Sequence, residues 1–235
     1  MMILVQNATP ETILLFHDQL SNELPNIKGK WGFNFKIFRN NHFSVPPELA
    51  DTHSSSPETT FLHTLSPSYM AHTTITLINR KTSGVFCTSV KEENGSDDAL
   101  YAIPDKHLNL GATTGLNDPF DSFVHQKLQA AWSQKQIIRG DGGQIYELQN
   151  GNLIFRTSNV FLHGIFKGLL IQIEILDTGI PPAKLSDINE IQALFKTIIQ
   201  KYRIPEGTTC YDVLNAKHLD TCGDLALQYS YILNF

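Results

Sequence analysis

Cysteine is scarce: Cys87, Cys210 and Cys222 are the only three in 235 residues. So few thiols, so widely spaced, exclude the stapled framework of a small secreted domain and fit a reducing compartment. Basic residues are also outnumbered, 18 Lys and Arg against 23 Asp and Glu, for a net charge of −5. A general nucleic-acid binder neutralises phosphates with a concentrated cationic surface, so this balance argues against one while leaving room for a local basic strip. No apolar run approaches the ~20 residues that cross a bilayer. The opening MMILVQNATP lacks the basic region of an export signal. A soluble, intracellular chain is expected. There is no G-x-S-x-G elbow, no S-x-x-K motif and no internal repeat.

What is present is ordinary globular composition, 41% hydrophobic and 17% charged, enough to bury a sizeable core in a single domain over residues 1–235. Met2 to Gln6 reads as a strand. Thr9 and Pro10 then open a helix whose face carries Ile13, Leu14, Phe16, His17 and Leu20, and Pro25 ends it. Trp31, Phe33, Phe35 and Ile37 alternate along a second strand. Residues 40–67 and 91–118 are polar and aperiodic and are expected as long loops, with a short strand at Leu100 to Ile103 inside the second. Tyr69 to Ile78 and Gly84 to Val90 form a hairpin.

The stretch KLQAAWSQKQIIRGDGG, Lys127 to Gly143, predicts the end of a helix over Phe120 to Gln134, which places Trp132 on it. A strand from Lys135 to Arg139 follows, then a turn at Gly140 to Gly143. Gln144 to Leu148 and Leu153 to Ser158 are joined at Asn150-Gly151, the strongest hairpin signal in the chain. In Gly168 to Leu176, the residues Leu169, Ile171, Ile173 and Ile175 form one dry strand face. Helices follow over Ser186 to Tyr202 and Thr221 to Leu233. Hairpins interrupted by helices, without βαβ alternation, predict an α+β fold: mainly an antiparallel β-barrel of about eight strands with flanking helices.

Several separated blocks resemble the Mediator head-module subunit 20 family of RNA polymerase II transcription. They are Val5 to Thr12, Trp31 to Arg39, Lys127 to Gly143, Gly164 to Glu174 and Cys222 to Tyr229. The resemblance covers roughly half the chain, and it is the ordered set, rather than any one block, that is specific. It implies a non-enzymatic nuclear subunit without cofactor. Its implied partners are Mediator subunit 18, a related barrel, as a stable heterodimer, then subunit 8 and other head-module subunits, with links to the TATA-binding protein and RNA polymerase II. Asn40 to Pro67, Glu92 to Asp118 and Gly179 to Leu219 depart from shorter members and read as insertions.

The competing class is a metal-dependent polyphosphate or triphosphate tunnel hydrolase on a similar barrel. It needs paired carboxylates on one strand, whereas the best strand offers Glu174 with Gln172 in the second place; Lys81, Lys91, Arg139, Arg156 and Lys167 are its only conceivable basic lining. Cys210, His218 and Cys222 are zinc-capable but lack a C-x-x-C knuckle and a fourth ligand, so no metal site is assigned. Cys87 is expected in a strand and in the core. No residue is assigned a catalytic role. The terminal helix crowds Tyr229, Tyr231, Ile232, Leu233 and Phe235 into seven residues, more apolar surface than one buried face needs. Leu225, Tyr229 and Ile232 are therefore its candidate partner-interface residues, core packing being the competing role.

Overall fold

The computed structural model describes residues 1–44, 59–88, 118–176, 188–210 and 221–235. In chain order its elements are β1 (Met2–Val5), α1 (Pro10–Ser21), β2 (Asn26–Asn40), β3 (Phe61–Pro67), β4 (Thr73–Ile78) and β5 (Thr82–Cys87). They continue with α2 (Phe120–Lys127), β6 (Trp132–Leu148), β7 (Leu153–Leu162), β8 (Ile165–Ile175), α3 (Ile188–Lys201), β9 (Thr208–Cys210) and α4 (Thr221–Ile232). The strands form one nine-stranded antiparallel sheet in the order β5-β4-β3-β2-β6-β7-β8-β1-β9. The α+β expectation holds, but the barrel does not: β5 and β9 end the sheet instead of pairing with each other.

Helix α4 spans the open sheet. It touches β4 and β5 near one end, β1 and β9 at the other, and β3 between them, so the sheet curls around it. Ala226, Leu227, Tyr229, Ile232 and Leu233 are all buried there against Met2, Leu4, Phe33, Phe35, Leu65, Ile75, Leu77 and Leu170. Tyr229 is fully buried, with the Phe33 ring edge-on at 5.0 Å. Its hydroxyl donates to Gln172 Oε1 at 3.3 Å. Gln172 in turn donates to the Tyr69 hydroxyl at 3.1 Å, tying the β3–β4 connection to β8 although three strands lie between β3 and β8. The Arg156 guanidinium sits over the Tyr69 ring at 4.2 Å.

The opposite face is covered by α1 and α3. Phe16 and Leu20 of α1, Ile198 of α3 and Tyr202 just after it pack on Ile3, Val5, Phe155, Leu169, Ile171 and Ile173. The β8 segment expected to have one dry face is therefore covered on both sides, because helices occupy both sides of the sheet and Leu170 is buried under α4. Uninterrupted burial of Met2, Ile3, Leu4 and Val5 in β1 has the same cause.

Three further expectations change. Gly140 to Gly143 is not a turn; the run lies inside the 17-residue strand β6 as a bulge, with register shifts against both β2 and β7. Glycine is required because a Cβ on Gly140 would overlap the Phe33 ring, and one on Gly143 would come within 2.5 Å of the Thr157 carbonyl. The helix expected to Gln134 stops at Lys127, and Trp132 opens β6, half-buried in a small cluster with Phe38, Leu62, Val124, Phe120 and Leu128. Lys36 of β2 holds α2 in place through Asp121 at 2.7 Å. Finally, the loop expected over 40–67 contains β3, paired along its length with β2. Position 118 borders α2, whereas the expected loop over 91–117 and the strand at Leu100 to Ile103 lie outside the described residues. Of the segments read as insertions, 61–67 supplies the core strand β3 and 188–201 supplies α3, which covers the sheet.

Two consequences are measurable. Tyr229→Ala should destabilise the chain by roughly 3–5 kcal/mol, as truncation of a large core residue does. Tyr229→Phe removes one hydroxyl and should cost about 1 kcal/mol; urea denaturation separates the two. His63, buried and stacked on Phe35 at 5.7 Å, has its pKa lowered from 6.5 to about 4, chiefly by burial. The charge of Arg80 adds to that shift and a weak contact to the Leu77 carbonyl opposes it. The unfolded chain takes the proton first, so stability is complete above pH 6.5 and declines as pH falls towards about 4. The decline is up to about 3 kcal/mol, and denaturation midpoints of His63→Gln should show a smaller fall over that window.

A candidate docking face between helix α1 and the β7–β8 hairpin

Helix α1 begins where Thr9 caps it, its hydroxyl accepting from the Thr12 amide at 3.1 Å, with Pro10 in the first turn. Phe16 and Leu20 then point into the core, four residues apart, while Ile13 is half-buried beside them. Ile13-Leu14-Leu15 is more apolar surface than one helix face can bury. Leu14 and Leu15 remain 61% and 62% exposed, so Leu14, expected on the inner face, points outward.

Beside them stands the tip of the β7–β8 hairpin. Phe161 pairs with Phe166 and Leu162 with Ile165 across a two-residue turn, His163-Gly164, at φ 51° and 80°. Both residues are left-handed, as the turn that matches strand twist requires. The Phe161 and Phe166 rings meet edge-on at 5.8 Å, and Ile165 is 63% exposed.

Between these two elements lies a groove of about 490 Å³, lined by Pro10, Ile13, Leu14, His17, Phe161 and Phe166. Its one titratable group, His17, is held below the ordinary histidine pKa by burial and hydrogen-bonds to the Tyr146 hydroxyl. That hydroxyl, whose own pKa burial raises, donates to Gln144. The imidazole thus anchors α1 to β6 and leaves the groove uncharged near neutral pH. An exposed, uncharged apolar concavity flanked by more apolar side chains is what a partner chain covers.

The residues singled out from the sequence go elsewhere. Tyr229 and Ile232 of α4 are buried against the sheet, and Leu225 is half-buried near the start of the same helix. Glu174 accepts from Arg156 at 2.6 Å, and Gln172 is bonded to Tyr69 and Tyr229, so both polar groups of the strand considered for tunnel chemistry are engaged by neighbouring elements. Lys167 stands over the Phe235 ring, at 5.9 Å, and Lys91 lies outside the described residues. Cys210 and Cys222 are half-buried against the core under α4, and His218 lies outside the described residues. Among the described residues no three His, Cys, Asp or Glu side chains stand together as a metal site would require. Cys87, expected in the core, is exposed because β5 is an end strand. The groove itself was missed; the signals for it were the Ile13-Leu14-Leu15 triplet and the His163-Gly164 turn.

The molecule is thus an α+β protein whose sheet is covered by helices on both faces and whose open apolar surface lies at the rim. Comparison with known proteins identifies the assembly. The family described as "TATA-binding related factor (TRF) of subunit 20 of Mediator complex" matches residues 1–234. A Debaryomyces hansenii protein named Mediator of RNA polymerase II transcription subunit 20 is 57% identical over 236 residues, covering 100% of this chain and 98% of its own. Its namesake in Scheffersomyces stipitis is also 57% identical, over 99% of this chain and 98% of its own. The Saccharomyces cerevisiae namesake is 28% identical over 97% and 94%. The chain belongs to the Mediator subunit 20 family; it is a non-enzymatic subunit of the complex that regulates RNA polymerase II transcription, and other Mediator subunits are its partners. Among the described residues no helix is long and apolar enough to cross a membrane.

His17→Phe keeps the ring and removes its hydrogen bond. Urea denaturation should register a loss of about 1–3 kcal/mol, since the buried Tyr146 hydroxyl loses a partner.

Proposed function

We propose that this chain acts in the nucleus as a docking subunit of the Mediator head module, pairing with subunit 18 through the apolar groove between α1 and the β7–β8 hairpin. The observation that carries the reading is the exposure of Leu14, Ile165 and Phe166 around an uncharged groove. Burying such a surface against a complementary apolar face yields affinity without chemistry. Tyr229 and Ile232 contribute indirectly, by holding α4 in the curl that sets the sheet's shape; Leu225 lies at that helix's edge. The pair is then tied to the head module through subunit 8 and couples it to the TATA-binding protein and polymerase.

The test is recovery of partners on a tagged chain carrying Leu14→Asp and Phe166→Asp. Leu14 is largely exposed, whereas Phe166 also packs edge-on against Phe161, so the two changes together should cost about 1–2 kcal/mol of stability and leave the chain folded. Affinity for subunit 18 should fall about 30-fold or more, the effect of losing roughly 2 kcal/mol of central contact. Undiminished recovery moves the interface off this groove, and a parent chain that recovers no subunit 18 refutes the pairing.

A further inference from the structure

A second concavity, built from a different residue set, has the opposite character. It encloses about 560 Å³ at the junction of the β4–β5 turn, β6 and the end of the chain. Arg80, Lys81 and Lys135 line it over an apolar floor of Ile37, Phe61 and Phe235, and among the described residues no Asp or Glu side chain lines it. In a chain of net charge −5, such a concentration of one sign stands out.

The three cations play unlike parts. Arg80 is structural. Its guanidinium donates to the Ser230 carbonyl at 2.8 Å in the last turn of α4, where positive charge is favoured, and lies over the Tyr231 ring at 4.5 Å. That clamp holds the turn at Asn79 and Arg80, both at positive φ, against the helix. The neighbouring Lys81 is thereby fixed at the mouth of the cavity. Lys81 and Lys135 are exposed, and among the described residues neither side chain has an ion-pair or hydrogen-bond partner. Phe61 and Phe235 are 40% and 37% exposed. Lys167 stands at 5.9 Å over the Phe235 ring and adds a fourth cation at the rim. Buried His63 also lines the cavity, and the Arg80 charge helps keep it neutral, consistent with a positive local potential.

We infer that this cavity is a docking site for an acidic peptide segment of a partner protein, one in which carboxylates flank an apolar or aromatic side chain. The carboxylates would meet Lys81 and Lys135, and the apolar side chain would rest on Phe61 and Phe235. Charge complementarity selects that occupant. Nucleic acid is the poorer match, because substantial phosphate affinity draws on roughly 6–10 cationic contacts, whereas two free lysines stand here on a net-negative chain. This inference does not depend on which surface binds subunit 18.

The experiment is fluorescence anisotropy on the full chain, with a short fluorescein-labelled peptide of alternating Asp and Phe as probe. A peptide with Asn for Asp and a short oligothymidylate serve as comparisons. The parent chain should bind the Asp peptide, more weakly as salt rises, and should ignore the Asn peptide. Lys81→Glu with Lys135→Glu should weaken binding about tenfold or more, since each exposed attraction becomes a repulsion. Lys81→Arg with Lys135→Arg should retain it, and near-UV circular dichroism of every variant should match the parent. Three results would overturn the inference: no binding of the Asp peptide by the parent, equal binding by the Glu variant, or tighter binding of oligothymidylate through the same lysines.

Discussion

The fold depends on a helix held inside a curled sheet. Tyr229 of α4 fills the curl, touching Phe33 with its ring and Gln172 with its hydroxyl. Gln172 reaches on to Tyr69, so one buried amide joins the last helix, the interior strand β8 and a connection from the far side of the sheet. Burial in a low-dielectric setting makes that arrangement specific: an amide there must find partners, and only this curvature supplies them. Without α4, the apolar residues of β1 through β4 on that face would have no cover.

Because both sides of the sheet are covered, polar and apolar surface available for contact is displaced to the margins. The apolar groove arises where α1 carries more leucine than the sheet can bury and where the β7–β8 hairpin projects two phenylalanines beside it. The cationic cavity arises where the β4–β5 turn is clamped on the end of α4 by Arg80. The same device, a hairpin tip set against a helix, builds both. One is suited to dry burial and the other to charge.

Much of this was legible from local pattern. The Thr9-Pro10 start of α1, the alternation Trp31, Phe33, Phe35 and the hairpin at Asn150, with φ of 55°, all appear as local chemistry dictates. Errors came where two local rules competed. Gly140 to Gly143 has turn composition, yet its glycines serve close approach of Phe33 and of the Thr157 carbonyl within a continuous strand, which no local signal reveals. Ala130 and Ala131 continue a helical period past Lys127, but the pairing of Trp132 with Asn40 draws the chain into the sheet. Phe61 to Pro67 looked like loop because it follows a long polar stretch, and only its partner β2 makes it a strand.

By itself the sequence determined the family, the mixed α and β composition and most of the residues that go inside, because periodicity and turn chemistry act over a few residues. Whether the sheet closes, which of two apolar helix faces stays outside and where lysines converge are set by contacts between residues far apart in the chain. The terminal helix shows the division. Its excess of apolar side chains was visible in Tyr229, Ile232 and Leu233, but their burial was decided by a sheet that bends around them from both ends.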